Sequence, residues 1–201
     1  PADARATGVI LAKEHCVVAG LPLVEAIFAK LDSRVVVKRL VEDGDLVEIR
    51  QRVAELTGPA RAILTGERVA LNFLQRLSGI ATLTREFVEA VTGTKTKILD
   101  TRKTTPTLRA LEKYAVAVGG GQNHRLGLFD AVMIKDNHRV ILARLGPKAL
   151  GDAVATARQL HPEALVIVEA DTLEQVEEAL AAGADHILLD NMTLDELREA
   201  V

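Results

Sequence analysis

Across the first 66 residues the apolar positions fall in short, β-branched runs around one helical stretch. Residues 7–12, 16–19 and 34–40 read as strands, and Pro22 stands in the first turn of a helix over 23–31, where its missing N–H is not needed. Glu42-Asp43-Gly44-Asp45 is a turn from which 46–56 returns as a further strand before Gly58-Pro59. This pattern describes a small α+β module over 1–66. From Glu67 the period lengthens. Val69, Leu71, Phe73, Leu74, Leu77 and Ile80 make one broad apolar stripe of a helix, and a second helical run covers 83–91.

After Gly93 the pattern becomes strand then helix, repeated: 98–99 before 107–114, 132–134 before 147–160, 165–168 before 173–182, and 187–189 before 194–200. The short run 115–118, ahead of three glycines, reads as one more strand. Such alternation predicts parallel strands buried on both faces, and so an α/β domain over 67–201. A complete eight-unit barrel takes roughly 250 residues. Only about half of that follows Gly93, so a sheet closing into such a barrel is expected to need one or more βα units beyond Val201, while an open α/β sheet fits the alternation as well.

Composition narrows the class. With 201 residues, 48% apolar and 26% charged, the chain can bury a real core and is neither a disordered tail nor a fibre. Twenty-five Lys and Arg against 28 Asp and Glu leave a net charge of −3, so no overall basic field recruits nucleic acid or an anionic membrane. Four Phe, one Tyr and no Trp argue against a base-stacking surface. Cys16 is the single cysteine and reads as a small core hydrophobe that cannot form an intramolecular disulfide. No apolar run approaches a membrane span and no signal-like segment opens the chain, so a cytoplasmic location is expected.

Each apolar strand of the second part ends in a charged residue: Asp100 after 98–99, Lys135 after 132–134, Glu169 after 166–168, and Asp190 after 187–189. One strand ending in a charge only marks the start of solvent. Four in succession, of both signs, predict a site, because α/β domains place their sites at the carboxyl ends of the strands. Between Asp100 and Arg139 seven Lys and Arg stand against four acids, a local +3 in a chain that is negative overall. Arg102, Lys103, Arg125 and Lys135 fall at strand ends or in loops and suit a ligand with several anionic groups. Arg109 and Lys113, four apart on one predicted helix, read instead as a solvated face. Gly119-Gly120-Gly121 allows close backbone approach or positive φ ahead of His124 and Arg125. Glu169 and Asp190 are oxygen donors suited to sugar hydroxyls or to a hydrated Mg²⁺ bound to phosphates, or to ion pairs with the nearby cations. The histidines show no metal-ligand spacing.

Five stretches, taken in order, closely resemble the quinolinate phosphoribosyltransferase family. They are residues 66–82 from Gly66-Glu67-Arg68 to Ala81-Thr82, Asp100-Thr101-Arg102-Lys103-Thr104-Thr105-Pro106, Gly119-Gly120-Gly121-Gln122-Asn123-His124-Arg125, Lys135-Asp136-Asn137-His138, and Leu188-Leu189-Asp190-Asn191. The resemblance implies an N-terminal α/β sandwich joined to an incomplete, seven-stranded type of α/β barrel, assembled as a homodimer or a higher oligomer of it. It implies transfer of phosphoribose from phosphoribosyl pyrophosphate to quinolinate with loss of CO₂, giving nicotinate mononucleotide for NAD biosynthesis, with Mg²⁺ carried by the substrate. By the same resemblance Thr101, Arg102, Lys103, His124, Arg125 and Lys135 line the dicarboxylate pocket, and Arg68 reaches the partner subunit's site. Glu169 and Asp190 contact the ribose and Mg²⁺, and Lys103 joins them as the catalytic set. Ile167 departs from the family pattern, standing where a first acid commonly precedes the one at Glu169.

Three other readings compete. A nicotinate phosphoribosyltransferase of similar fold would use fewer cations for a mono-acid. A lyase would form a Schiff base on Lys135. A non-catalytic interaction module would be indifferent to loss of Arg125.

Overall fold

The computed structural model describes residues 4–127 and 129–201; the first three residues of the expected first domain lie outside them. The chain divides into two units, 1–124 and 125–201.

The first unit runs β1 (Arg5–Leu11), β2 (Cys16–Val17), α1 (Leu21–Leu31), β3 (Val36–Arg39), β4 (Leu46–Val47), β5 (Arg52–Pro59), α2 (Ala60–Ala90) and α3 (Arg109–Val118). An antiparallel sheet has the order β1-β5-β3, with Thr57 opposite Thr7 on one side and Val36 on the other, while β2 pairs with β4. The strand expected over 46–56 is thus two strands. Arg50 turns the chain in the left-handed region at φ 67°, which ends one ladder before the next begins. Leu21, Val24 and Phe28 of α1 pack with Val53 and Leu56 of β5 and with Ile63, Ala70 and Leu74 of α2. Burying Phe28 alone contributes roughly 1.5–3 kcal/mol. Gly66 lets α1 approach α2, because a Cβ there would lie 2.7 Å from both Phe28 Cε1 and Leu31 Cδ1.

Where the sequence suggests two helical runs there is one 31-residue helix, which starts at Ala60 and passes through position 66 without a break. The polar Ser78-Gly79 pair in its middle is no interruption. Ser78 Oγ accepts from Ala19 N at 3.0 Å and Thr82 Oγ1 from Val17 N at 2.9 Å, so these side chains bond the backbone at and beside β2. The helix α1 starts at Gly20, which has no capping side chain; Asp43 supplies the cap from the 42–45 turn, accepting from Gly20 N at 2.7 Å and Leu21 N at 3.0 Å. The residues expected as a strand over 115–118 are the last turn of α3, held because Ala115 packs fully buried with Leu77 and Ala81. Residues 98–99 make only a single parallel bridge, Leu99 to Gln122.

The second unit contains β6 (Ala131–Ile134), α4 (Asp136–Ala143), α5 (Ala149–Leu160), β7 (Leu165–Ala170), α6 (Leu173–Ala181), β8 (His186–Leu189) and α7 (Leu194–Ala200). Its strands form the expected parallel sheet, in the order β6-β7-β8. Val166 and Val168 of the central strand are fully buried with Ile134, Val154 of α5 and Ala179 of α6. The short helix α4 buries no residue, so no apolar stripe announces it; His138 Nδ1 accepts from Lys135 N at 2.9 Å across its first turn. Among the described residues no helix is long and apolar enough to cross a membrane.

Candidate functional site

In the first unit, Thr101, Arg102 and Lys103 lie on the segment that leaves the Leu99–Gln122 bridge. Thr101 and Lys103 are exposed and Arg102 is half-buried. Thr101 Oγ1 accepts from Lys103 N at 3.0 Å, and Arg102 O accepts from Thr104 N at 3.0 Å, so the segment is a tight local turn. Its placement comes from α3. Lys113 Nζ donates to Asp100 Oδ1 at 2.5 Å and to His124 O at 3.0 Å, while His124 N donates to the same Asp100 oxygen at 2.7 Å. The Asn123 amide nitrogen, in the orientation its surrounding acceptors require, donates to Asp100 Oδ2 at 2.8 Å and Lys113 O at 2.9 Å. Glu112, the preceding residue, accepts from Thr105 N at 3.1 Å and from Arg76 Nε of α2 at 3.0 Å. Burial, the strongest single influence, pushes the Glu112 carboxyl up, but the Arg76 bond with the Thr105 hydroxyl and N–H outweighs it and leaves the group below its ordinary value.

These contacts overturn the solvated-face reading of Arg109 and Lys113. The Lys113 side chain is only 4% exposed and Asp100 only 7%. Arg109 is half-buried and donates to Thr104 Oγ1 at 3.2 Å and Arg102 O at 3.3 Å. A spacing of four places both on neighbouring positions of one helix but does not say which way that face looks. The glycine run also acquires a packing role. A Cβ at Gly119 would lie 2.5 Å from Ala81 O, and Gly120 has φ +95°, so the run ends α3 hard against α2. Arg68 is exposed on α2.

In the second unit, Lys135 follows β6 directly, Glu169 lies near the end of β7 and Asp190 directly follows β8. The parallel register sets Ile134 beside Val168 and Glu169 beside Leu188. By strand alternation this puts Lys135, Glu169 and Asp190 on one face at the carboxyl edge. Lys135 Nζ donates to Glu169 Oε2 at 3.1 Å, and Asp136 N lies 3.5 Å from Oε1. Glu169 is 6% exposed but Lys135 is 46% exposed. Asp190 N donates to Ala170 O at 2.9 Å, fixing the turn after β8. Arg125 donates from Nη1 to Ala131 O at 3.3 Å and from Nη2 to Met133 Sδ at 3.1 Å, which ties the residue to β6. Ile167, two residues before Glu169 on the same face, is buried, so that position is filled by packing.

No group of three His, Cys, Asp or Glu among the described residues is arranged to hold a metal ion. Two carboxylates on one sheet face, one already bonded by Lys135, suit contact through water with a Mg²⁺ that arrives on a phosphate ligand, since that ion keeps much of its water shell. Sequence reasoning missed Glu112, Lys113 and Asn123. The signal available was the adjacency of Glu112 and Lys113 in a helix that otherwise buries alanine.

Two family models match the chain. The N-terminal domain of quinolinate phosphoribosyl transferase matches residues 1–78, and its C-terminal domain matches 80–201. The chain is 50% identical over 190 residues to a Bacillus subtilis (strain 168) protein named probable nicotinate-nucleotide pyrophosphorylase (carboxylating), covering 94% of this chain and 64% of that one. It is 48% identical over 192 residues to the Synechocystis sp. protein of the same name, covering 95% and 63%. The chain thus spans less than two thirds of the length of these curated relatives. Among solved structures, NadC from Streptococcus pyogenes aligns with a TM-score of 0.91 at 45% identity, over 100% of this chain and 70% of that one. The nicotinate-nucleotide pyrophosphorylase from Francisella tularensis aligns at 0.92 and 40%, over 99% and 69%.

Proposed function

The chain belongs to the quinolinate phosphoribosyl transferase family, and from that premise we propose that its parent protein transfers phosphoribose to quinolinate and releases CO₂, forming nicotinate mononucleotide. The observation that carries this reading is the half-exposed Lys135 paired with the buried Glu169 at the carboxyl edge of the parallel sheet. A cation and an acid are offered side by side there, the requirement of a site that binds a carboxylate and faces a ribosyl cation.

In this reading Thr101, Arg102, Lys103, His124, Arg125 and Lys135 bind the two carboxylates of quinolinate, which leaves the pyridine nitrogen lone pair free to attack. The bond from the anomeric carbon to pyrophosphate breaks, and positive charge develops on the ribose. Glu169 and Asp190 stabilise that charge. Glu169 and Asp190 are the residues that would hold a Mg²⁺ brought in with the sugar donor, and that ion would supply neutralisation of the pyrophosphate's negative charge. The nitrogen then forms the new bond to the anomeric carbon. The ring, now cationic at nitrogen, loses its 2-carboxylate as CO₂, and the electron pair left at that carbon takes up a proton. A cation of this set beside the 2-carboxylate stabilises the carbanion-like centre, and Lys103 is the member counted with Glu169 and Asp190 in the catalytic set.

The finer assembly belongs to the same proposal. It comprises an α/β sandwich over 1–66, an incomplete α/β barrel over 67–201, a cytoplasmic homodimer or higher oligomer, and Arg68 contributed to the partner's site. The deciding experiment is an assay of the full-length gene product with Mg²⁺ and phosphoribosyl pyrophosphate, quinolinate and nicotinate being offered separately. Nicotinate mononucleotide and CO₂ from quinolinate alone is the expected result. Product from nicotinate without CO₂ overturns the assignment in favour of the mono-acid enzyme.

A further inference from the structure

The segment that carries Arg102 and Lys103 has neither helix nor ladder of its own, yet it is fixed at both ends by consecutive residues of one helix. Neighbouring positions on a helix point about 100° apart, so Glu112 and Lys113 reach two separate places. Lys113 takes the entry through Asp100 and, by His124 O, ties that entry to the end of the glycine run. Glu112 takes the exit through Thr105 N and is itself held by Arg76. Arg109, one turn earlier, bonds the middle at Arg102 O and Thr104 Oγ1. Burying opposite charges contributes little net stability compared with an apolar pair of similar size. Two adjacent buried charges on α3 therefore call for a reason of placement.

We infer that Glu112 and Lys113 are positioning residues: together they clamp the 100–105 segment and thereby set Arg102, Lys103 and His124 for binding a dicarboxylate. The inference rests on the transferase reading for its substrate, and on the geometry of the first unit for its mechanism. Neither residue touches substrate. The clamp acts on the affinity for quinolinate and leaves that for phosphoribosyl pyrophosphate alone.

The test uses the full-length gene product with three changes, Glu112→Gln, Lys113→Met, and the double variant Lys113→Met with Asp100→Asn. The double variant removes the unpaired buried charge but keeps an acceptor for His124 N, so it recovers much of the melting temperature lost in Lys113→Met. Its KM for quinolinate is expected to stay raised by on the order of 100-fold, the effect of losing one or two charge-assisted hydrogen bonds to the substrate, while KM for phosphoribosyl pyrophosphate is unchanged. A folded double variant and a folded Glu112→Gln that both keep the wild-type quinolinate KM, or in which both KM values move together, overturn the clamp. Should the wild-type protein fail to turn over quinolinate, the transferase reading falls, and the clamp is judged by hydrogen exchange of the 101–104 amides. Faster exchange in the variants supports it, and unchanged exchange overturns it.

Discussion

Two lysine–carboxylate pairs, one in each unit, show how identical chemistry serves opposite ends. Lys113 and Asp100 meet at 2.5 Å with both side chains almost entirely out of water. Lys135 and Glu169 meet at 3.1 Å with the acid buried and nearly half of the lysine in solvent. In the first pair every strong partner is already within the protein, since Lys113 also bonds His124 O and Asp100 also accepts His124 N. In the second, the exposed ammonium has donor capacity to offer a ligand without leaving its carboxylate. Desolvation makes the first pair strict about geometry and poor at exchange; solvent makes the second adaptable. A cation is marked for binding less by its charge than by how much of it the fold leaves wet.

That contrast can be broken by removing each lysine. Lys113→Met leaves Asp100 buried and uncompensated and should cost about 3–5 kcal/mol of stability by urea denaturation; a loss below about 1 kcal/mol would show the pair is not desolvated in solution. Lys135→Met should lower kcat/KM for quinolinate by on the order of 100-fold, an effect of roughly 2.7 kcal/mol. Its loss of stability should be only about 1–2 kcal/mol, because Lys135 is nearly half in water and solvent can reach the place it leaves beside Glu169. Equal stability losses in the two variants would erase the distinction.

Smaller effects sharpen it elsewhere in the first unit. Asp43→Ala removes the distant cap of α1 and should cost about 1–2 kcal/mol, read from the denaturation midpoint. Tyr114 donates to Asp43 Oδ2 at 2.6 Å, and its phenol is pushed up to about 12 by burial first, then by the hydrogen bond and charge of Asp43. A raised value in the folded state means stability that is complete below the unfolded phenol value of about 10 and is lost as pH climbs through about 12. Tyr114→Phe should therefore flatten the alkaline limb of stability against pH, and a limb unchanged by the substitution would show that this phenol does not carry it.

The parts of the fold legible in the chain were those whose signal is local. Leu165 to Val168 reads as a buried strand because it is apolar throughout, and β7 is found there. The charges at strand ends were legible for the same reason, and Lys135, Glu169 and Asp190 do share one sheet face. What failed to show was anything decided by a distant partner. Residues 115–118 look β-branched and extended, yet they stay helical because Ala115 is packed with Leu77 and Ala81. Helix α4 goes unread because none of its residues is fully buried and only Leu142 among its apolar residues packs against the core, which leaves no helical stripe.

By itself, then, the sequence settled the α/β alternation over 131–200, the charges at the ends of its three strands and, through five ordered motifs, the family; Asp100, read as a fourth strand end, follows only a single bridge. Periodicity and residue chemistry act over a few positions, so a linear reading can recover them. Only the tertiary structure decided that Lys113 is buried while Lys135 is not, and that Glu112 reaches Thr105 rather than solvent. Burial is a property of what packs from elsewhere in the chain. For an ionisable side chain, that packing determines whether it holds the protein together or remains available to a ligand.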